Sequence, residues 1–427
     1  MAAPSKVVLD LAASSKHTDW KYVAEGAYNI VLRYNGPERL LDSFGLRCRK
    51  KKRGDSGTAG GDTFVPWDVE AGYVEKVFLP LLGRRYLLPN NGGYPMAVRE
   101  GFLLGLGQHV DAHRPVRRRD NSIDDTLKEA TLIFNNLVLH AAEAKLGAAH
   151  PTICVEIKPK WGFVPTSKSI SHAVKLKHNR FTMHQQLKAK KARDKGHHWE
   201  ISCYDPMKLF SYDRLQVKET LEDLIKVPQN NLRIFINQEL RVDDNHPGLS
   251  ALQAALQEAC ADHAAEFLLE ALTEILTREP LLNRLRTAQM LDDMDIEAVF
   301  PAYQQILERG EAFDARQGET LEPREAPDSE PGDAPGQHEL VRRFLVAATA
   351  KDCSMMITLR RCDGPAEPCS TNPDMPVDSG THTHPVIRDL EGWEYSIMVV
   401  DLDSKPIEKI PYYFQQDLEI AESFAKT

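Results

Sequence analysis

No run of roughly eighteen apolar residues occurs in the 427-residue chain, so no bilayer-spanning helix and no membrane partner are expected. The stretch Met1–Thr18 lacks the apolar core of a secretory signal, which points to an intracellular protein of cytoplasm or nucleus. Cysteine is scarce: seven residues, an odd number with no CxxC pair, argue against a disulfide framework and for a reducing compartment. Positive charge is in deficit, and the net charge of −9 argues against general affinity for nucleic acid. Apolar content of 42% and charged content of 27% are those of an ordinary globular protein. The length suits two or three subdomains around a large core, and a monomer is expected.

What positive charge there is comes in clusters, at Arg47–Arg53, at Arg117–Arg119, and at Lys188, Lys190, Lys191 and Arg193. Acidic residues gather around 311–333. An acidic protein with concentrated basic pockets suits a small polyanion better than a long one. The stretch Ile153–Lys160 shows how such a pocket is built. Ile153, Val155 and Ile157 alternate with Cys154, Glu156 and Lys158, the period-two pattern of a strand. Pro159 cannot donate to a ladder, so the strand ends there or lies at an edge. Glu156, Lys158 and Lys160 are then held beside the turn Trp161-Gly162-Phe163; taken alone, a solvated edge strand is the better explanation of them.

Elsewhere the patterning predicts strands at Ile30–Tyr34, near Leu46–Cys48, at Ala130–Asn136 and at Leu232–Ile236. Lys50–Arg53 with Gly54–Gly61 reads as a solvated loop or, less simply, a nuclear-import patch. Asp68–Leu79 reads as an amphipathic helix with Val69, Val74, Val77 and Phe78 inward, stopped by Pro80. Gly101–Gly107 is a mostly apolar, ordered stretch, and Arg114–Arg119 reads as a basic loop. In the helix Arg180–Lys191, His184 and Lys188 lie four apart and share a face, as an ordinary solvent-facing pair would. Lys190–His198 reads as charged and mobile. The asparagines of Pro228-Gln229-Asn230-Asn231 favour a turn or cap. Leu252–Leu276 carries a helical repeat that includes Phe267 and ends at Pro280, and Asp295 caps a helix over Ile296–Glu308. Residues 317–338, rich in Pro, Glu, Asp and Gly, read as a disordered surface loop, and 362–391 as a second loop. Cys362, Cys369, His382 and His384 fall in the second with a spacing that fits no zinc pattern.

The last third holds two apolar strands, Cys353–Leu359 after the helix Arg342–Ala350, and Trp393–Val400. If they pair antiparallel, Asp352 before the first and Asp401 after the second meet at one sheet end. Phosphoryl transfer needs two carboxylates with separate tasks, one taking a hydroxyl proton and one holding Mg²⁺ on nucleotide phosphates. Either aspartate alone is explained as a strand-end cap. Asp403 would share the face of Asp401.

CVEIKPKWGFVPTS resembles the EIKPK signature of the inositol-pentakisphosphate 2-kinases. MHQQLK, YDPMKLFS, PQNNLRIF, MLDDMDIEA, AATAKDCSMMI and VVDLDSKP follow in that family's order, over about residues 19 to 414. The resemblance implies an α/β (α+β), two-lobed kinase-like fold. A small nucleotide-binding N-lobe with an antiparallel sheet would cover 1–137. A larger catalytic C-lobe with inositol-phosphate-binding helical insertions would cover 138–427. It implies ATP-dependent phosphorylation of the axial 2-hydroxyl of inositol 1,3,4,5,6-pentakisphosphate to the hexakisphosphate (phytate), with Mg²⁺. For the nucleotide it implies the Glu25-Gly26 to Asn29 loop, Arg47, Asn135 at the adenine hinge, Glu156, and Asp401 with the metal. Asp352 is implied as the base and Lys158 as the bridge between nucleotide and substrate phosphates. For the substrate it implies Arg118, Lys160, His184, Lys188, Asn230, Asn231, Lys405, Lys409 and Tyr413.

The chain departs from the family in three places. Ala24 and Ala27 stand where the family has more glycine, which leaves a plain hairpin open for that loop. Lys409 replaces an arginine and loses its two-pronged grip. Related plant enzymes carry a His/Cys zinc site near 310–333, but no cysteine lies between Cys260 and Cys353, so no zinc site is expected. The glycine-poor loop makes a catalytically silent inositol-polyphosphate-binding scaffold the competing expectation; intact Glu156, Lys158, Asp352 and Asp401 favour the enzyme.

Overall fold

The computed structural model describes residues 15–26, 28–38, 41, 44–53, 65–135, 137, 150–259, 264–318, 320–322, 336–362 and 387–426. The fold is mixed α/β with two antiparallel sheets. The chain divides into two compact units, Met1–Gly72 with Leu88–Ala149, and Tyr73–Leu87 with His150–Thr427. Tyr73–Leu87 thus belongs to the second unit, although it lies in the range given above to the N-lobe.

The first unit is built on strands β1 (Trp20–Glu25), β2 (Asn29–Tyr34), β3 (Phe44–Lys52), β4 (Gly93–Ala97), β5 (Asn121–Ile123) and β6 (Glu129–Phe134). They run in the order β1-β2-β3-β6-β4, with β5 on β3. Ile30, Leu32, Leu46 and Leu132 alternate inward and pack with Phe102, Leu103, Leu106 and Val110 of the helix Phe102–Val110. The basic run after Cys48 is not a loop. Lys50–Lys52 continue β3, and Lys50 is buried against Glu25. A strand backbone and a buried ion pair leave no free import patch at Lys50; 54–64 lie outside the described residues.

The second unit holds β7 (Ile153–Ile157), β8 (Leu232–Ile236), β9 (Glu239–Val242), β10 (Ser354–Arg361), β11 (Ile387–Leu390) and β12 (Trp393–Val400), in the order β11-β12-β10-β7-β8-β9. One face, with Val155, Ile357 and Ile397 in register across three strands, packs under helices Arg214–Lys226, Leu249–Ala259, Ala265–Arg278 and Leu281–Gln289. A separate cluster joins helices Ile296–Glu308, Gln337–Ala350 and Ile410–Phe424, where Phe300 stacks on Phe414 at 4.2 Å. Asp295 caps the first of these by accepting from Glu297 N at 3.1 Å, as expected; such caps contribute about 1 kcal/mol.

Several expectations need correction. Pro80 does not stop a helix: a π turn over Val74–Phe78 leads into Leu79–Leu82, where the proline sits in the first turn and needs no N–H partner. Val69 is exposed rather than inward. The repeat Leu252–Leu276 is two helices, and Phe267 lies on the outside of the second, under the Arg361 guanidinium. Lys190–Asp194 complete the helix Arg180–Asp194. Leu321 is buried, and Gln337 and His338 open a helix, so the loop 317–338 is narrower than its composition suggests. Residues 387–390 of the second loop form β11. The remainder of that loop, with Cys369, His382 and His384, lies outside the described residues. Among the described residues, no helix is long and apolar enough to cross a membrane.

Candidate active site

In the antiparallel register, β7 and β12 end where β8 and β10 begin, so four chain segments converge at one end of the second sheet. Ser354 pairs with Val400, and Ile157 with both Met355 and Leu232. Asp352, Asp401, Lys158 and the Asn230-Asn231 turn therefore meet although the sequence scatters them. Lys158 N donates to Asn231 O at 2.9 Å and closes the β7–β8 side.

The charges are cross-paired. Lys158 Nζ lies 3.1 Å from Asp401 Oδ2, while Lys160 Nζ and Lys405 Nζ each lie 3.3 Å from Asp352. Ser354, which sequence reasoning missed, donates toward Glu156 at 3.1 Å and Asp401 at 3.2 Å; Glu156 also accepts from Arg233 at 3.0 Å. Its signal was its place at the first residue of β10, on the face of Glu156. Burial alone would raise the Asp352 carboxyl, but Lys160, Lys405 and Lys158 outweigh it and hold the group at about 2. Burial opposes the charge on Lys158 as well, yet Asp401, Glu156 and Asp352 raise its pKa overall. Both aspartates remain more than half exposed. Asp401 and Lys160 have φ of 62° and 58°, left-handed conformations that cost a non-glycine residue free energy and recur at functional sites. Because Asp401 turns out of the strand, Asp403 does not continue its face; β12 ends at Val400.

A second group of cations is set by the helix Arg180–Asp194. Asn179 caps it through Phe181 N and donates from its other amide atom to Trp161 O at 2.7 Å, tying helix to turn. His184 is depressed to about 3 by burial and then by Arg180, Lys188 and Lys160, and is neutral at pH 7. Lys188 is depressed to about 8 by burial, then Lys160 and Arg180. Lys160 is lowered by burial and Lys158 against the pull of Asp352. Arg180, absent from the sequence prediction, is a member of this cluster and lies over the Trp161 ring. Cations that depress one another bind a polyanion well, because bound phosphate relieves their repulsion. Asn231 is buried, and among the described residues its side-chain amide has no hydrogen-bond partner. Asn230 is exposed beside it. Lys405 follows β12, Lys409 ends a single turn, and Tyr413 packs edge-on against Phe344.

The predicted residues of the first unit form their own arrangement. Glu25 is buried between Arg114 (3.0 and 2.9 Å) and Lys50 (2.9 Å), whose bonds overcome burial and lower its pKa. Gly26 O accepts from Lys50 at 2.6 Å and from Arg118 at 3.2 Å, so the β1–β2 turn is anchored by cations. With its amide turned to accept, Asn29 meets Arg47 at 2.7 Å, and Arg47 also lies over Trp67. Asn135 accepts from Leu137 N at 3.1 Å. Among the described residues, one acidic trio has metal-like spacing, Asp295, Glu297 and Asp417. Lys175 Nζ already fills it, at 2.6, 2.9 and 2.6 Å.

Comparison with known proteins was consistent over nearly the whole length. The family model "Inositol-pentakisphosphate 2-kinase" matches residues 22–419. An inositol-pentakisphosphate 2-kinase of Arabidopsis thaliana is 28% identical, covering 94% of this chain and 92% of its own. One of Danio rerio is 27% identical, covering 96% and 93%, and one of Cryptococcus neoformans is 24% identical, covering 97% and 95%.

Proposed function

The chain belongs to the inositol-pentakisphosphate 2-kinase family, and from that premise we propose that it transfers the γ-phosphoryl group of ATP to the axial 2-hydroxyl of inositol 1,3,4,5,6-pentakisphosphate. The two units correspond in this reading to the lobes of a kinase-like fold. The 2-oxygen forms a bond to the γ-phosphorus, the bond to the β–γ bridging oxygen breaks, and the hydroxyl proton passes to Asp352. The products are inositol hexakisphosphate and ADP.

Asp352 is a weak base while Lys160 and Lys405 hold it near 2. Substrate phosphates compete for the same two ammonium groups, and drawing them off raises the proton affinity of the carboxylate. Strong basicity is not required, because the transition state is loose and catalysis rests on positioning and charge. Lys160, Lys188, Lys405, Lys409 and the amides of Asn230 and Asn231 take the substrate's phosphates and hydroxyls, with Tyr413 at the edge and neutral His184 as a hydrogen-bond partner. Charge-assisted bonds contribute roughly 1.5–3 kcal/mol each, and several together fix the ring so that the 2-hydroxyl faces the phosphorus. Glu25 anchors the Gly26 turn, Arg47 and Asn29 lie on the strands behind it, and Asn135 takes the adenine. Glu156 with Ser354 sets the direction of Lys158 and Asp401. Exposed Asp401 suits Mg²⁺, a hard cation held by one or two carboxylates, which when bound neutralises charge on the nucleotide phosphates.

The observation that supports this most is that the two aspartates share one sheet end but pair with different lysines. Incubation with ATP, Mg²⁺ and inositol pentakisphosphate is the test. Stoichiometric hexakisphosphate and ADP are expected, whereas tight binding without product would favour the silent scaffold.

A further inference from the structure

The turn that carries Lys160 is held by side chains at three successive carbonyls. Tyr204 Oη donates to Pro159 O at 2.8 Å, Gln289 Nε2 to Lys160 O at 2.7 Å, and Asn179 Nδ2 to Trp161 O at 2.7 Å. A left-handed backbone at Lys160 persists only where its surroundings over-determine it, and these bonds do so. Gln289 differs from the other two in its reach. Its Oε1 accepts from Gly162 N at 2.8 Å, and its Nε2 also donates to Ala350 O at 3.3 Å. Ala350 is the last residue of the helix Gln337–Ala350, two residues before Asp352. The Gln289 side chain is fully buried, closing the helix Leu281–Gln289. One amide thus joins the loop of a phosphate-binding lysine to the loop of the carboxylate that the lysine faces. Lys351 repeats the connection: its ammonium lies on Asp292 Oδ2 at 2.5 Å and over the Trp161 ring at 3.8 Å.

We propose that Gln289 is a positioning residue, a buried clamp that sets the distance between Lys160 and Asp352 and thereby where a substrate phosphate meets the proton-accepting carboxylate. The inference rests on the reading of Lys160 and Asp352 given above. Both amide ends of this buried side chain are hydrogen-bonded, so it holds one arrangement and fixes the two loops relative to each other. Nothing in its bonds reaches the nucleotide residues, so its effect is confined to the substrate side.

A double-mutant cycle read by substrate binding tests this. Gln289→Met keeps the volume and removes all three bonds. In the wild-type background it is expected to weaken inositol pentakisphosphate binding roughly 10-fold, within the range of coupling between residues that act through one another. In a Lys160→Ala background the loss should shrink below about 2-fold, because the group it positions is gone. ATP affinity should be unchanged in both. Gln289→Asn keeps an amide but is one methylene too short to span both loops, and reads the same coupling if the methionine variant does not fold. Equal losses of substrate affinity in the two backgrounds would mark a general packing role and overturn the proposal. If the wild-type protein fails to bind inositol pentakisphosphate at all, the functional reading beneath it falls instead.

Discussion

Lys188 shows how a single residue couples the fold to pH. Its ammonium lies over Trp199 at 5.2 Å, and burial with the repulsion of Lys160 and Arg180 brings its pKa down to about 8. A bound polyanion stabilises the ammonium, so the bound-state pKa is higher and binding takes up a proton. Affinity for inositol pentakisphosphate should therefore be full below about pH 8 and fall as pH rises past it, by up to about 10-fold per unit. Titration calorimetry at pH 7 and pH 9 measures this, and Lys188→Arg, charged throughout, should abolish that part of the fall. An unchanged pH dependence in the arginine variant would remove Lys188 from the substrate site. Glu25 teaches the complementary lesson. The family resemblance implies a nucleotide role for it, and its carboxylate is bonded to Arg114 and Lys50, from positions that no local pattern connects to it.

Among the elements, β10 and β12 were readable as two apolar runs flanked by Asp352 and Asp401, and the antiparallel pairing entertained for them is the one observed, with both strands buried on both faces. That was sufficient to bring Asp352 and Asp401 together. The helix Ile296–Glu308 was readable from its cap, Asp295. What stayed hidden was conformation that depends on distant partners: the π turn that carries a helix past Pro80, and the left-handed turns at Lys160 and Asp401. Gly162 in the Lys160 turn illustrates the second kind. A Cβ there would fall 2.6 Å from the ring of Phe210, which is buried in the main core and has no room to move. Gly162→Ala should lower stability by about 1–3 kcal/mol, as overpacking does, and weaken substrate binding by displacing Lys160. Denaturant unfolding and calorimetry on the variant check both; wild-type stability with wild-type affinity would show that the turn adapts freely.

On the scale of the whole molecule, a buried ionic cage ties the helices of the second unit together. Lys175 bonds Asp295, Glu297 and Asp417, the last of which also receives Arg180. Burial, with Asp292 next in effect, raises Asp295 to about 6 despite Lys175. Lys175→Ala strands these carboxylates and should cost about 3–5 kcal/mol, seen as a lower denaturation midpoint. A midpoint within error of wild type would show the cage to be dispensable. The functional account depends on a different junction, the sheet end at which Asp352 and Asp401 take separate tasks. Its most direct test is single-turnover transfer from ATP to inositol pentakisphosphate by the wild-type protein and by Asp352→Asn, side by side with calorimetry of both ligands. Asp352→Asn keeps the size of the side chain and removes the proton acceptor, so binding should survive while transfer slows by roughly 10²–10⁴-fold. Transfer by Asp352→Asn at the wild-type rate would contradict the account.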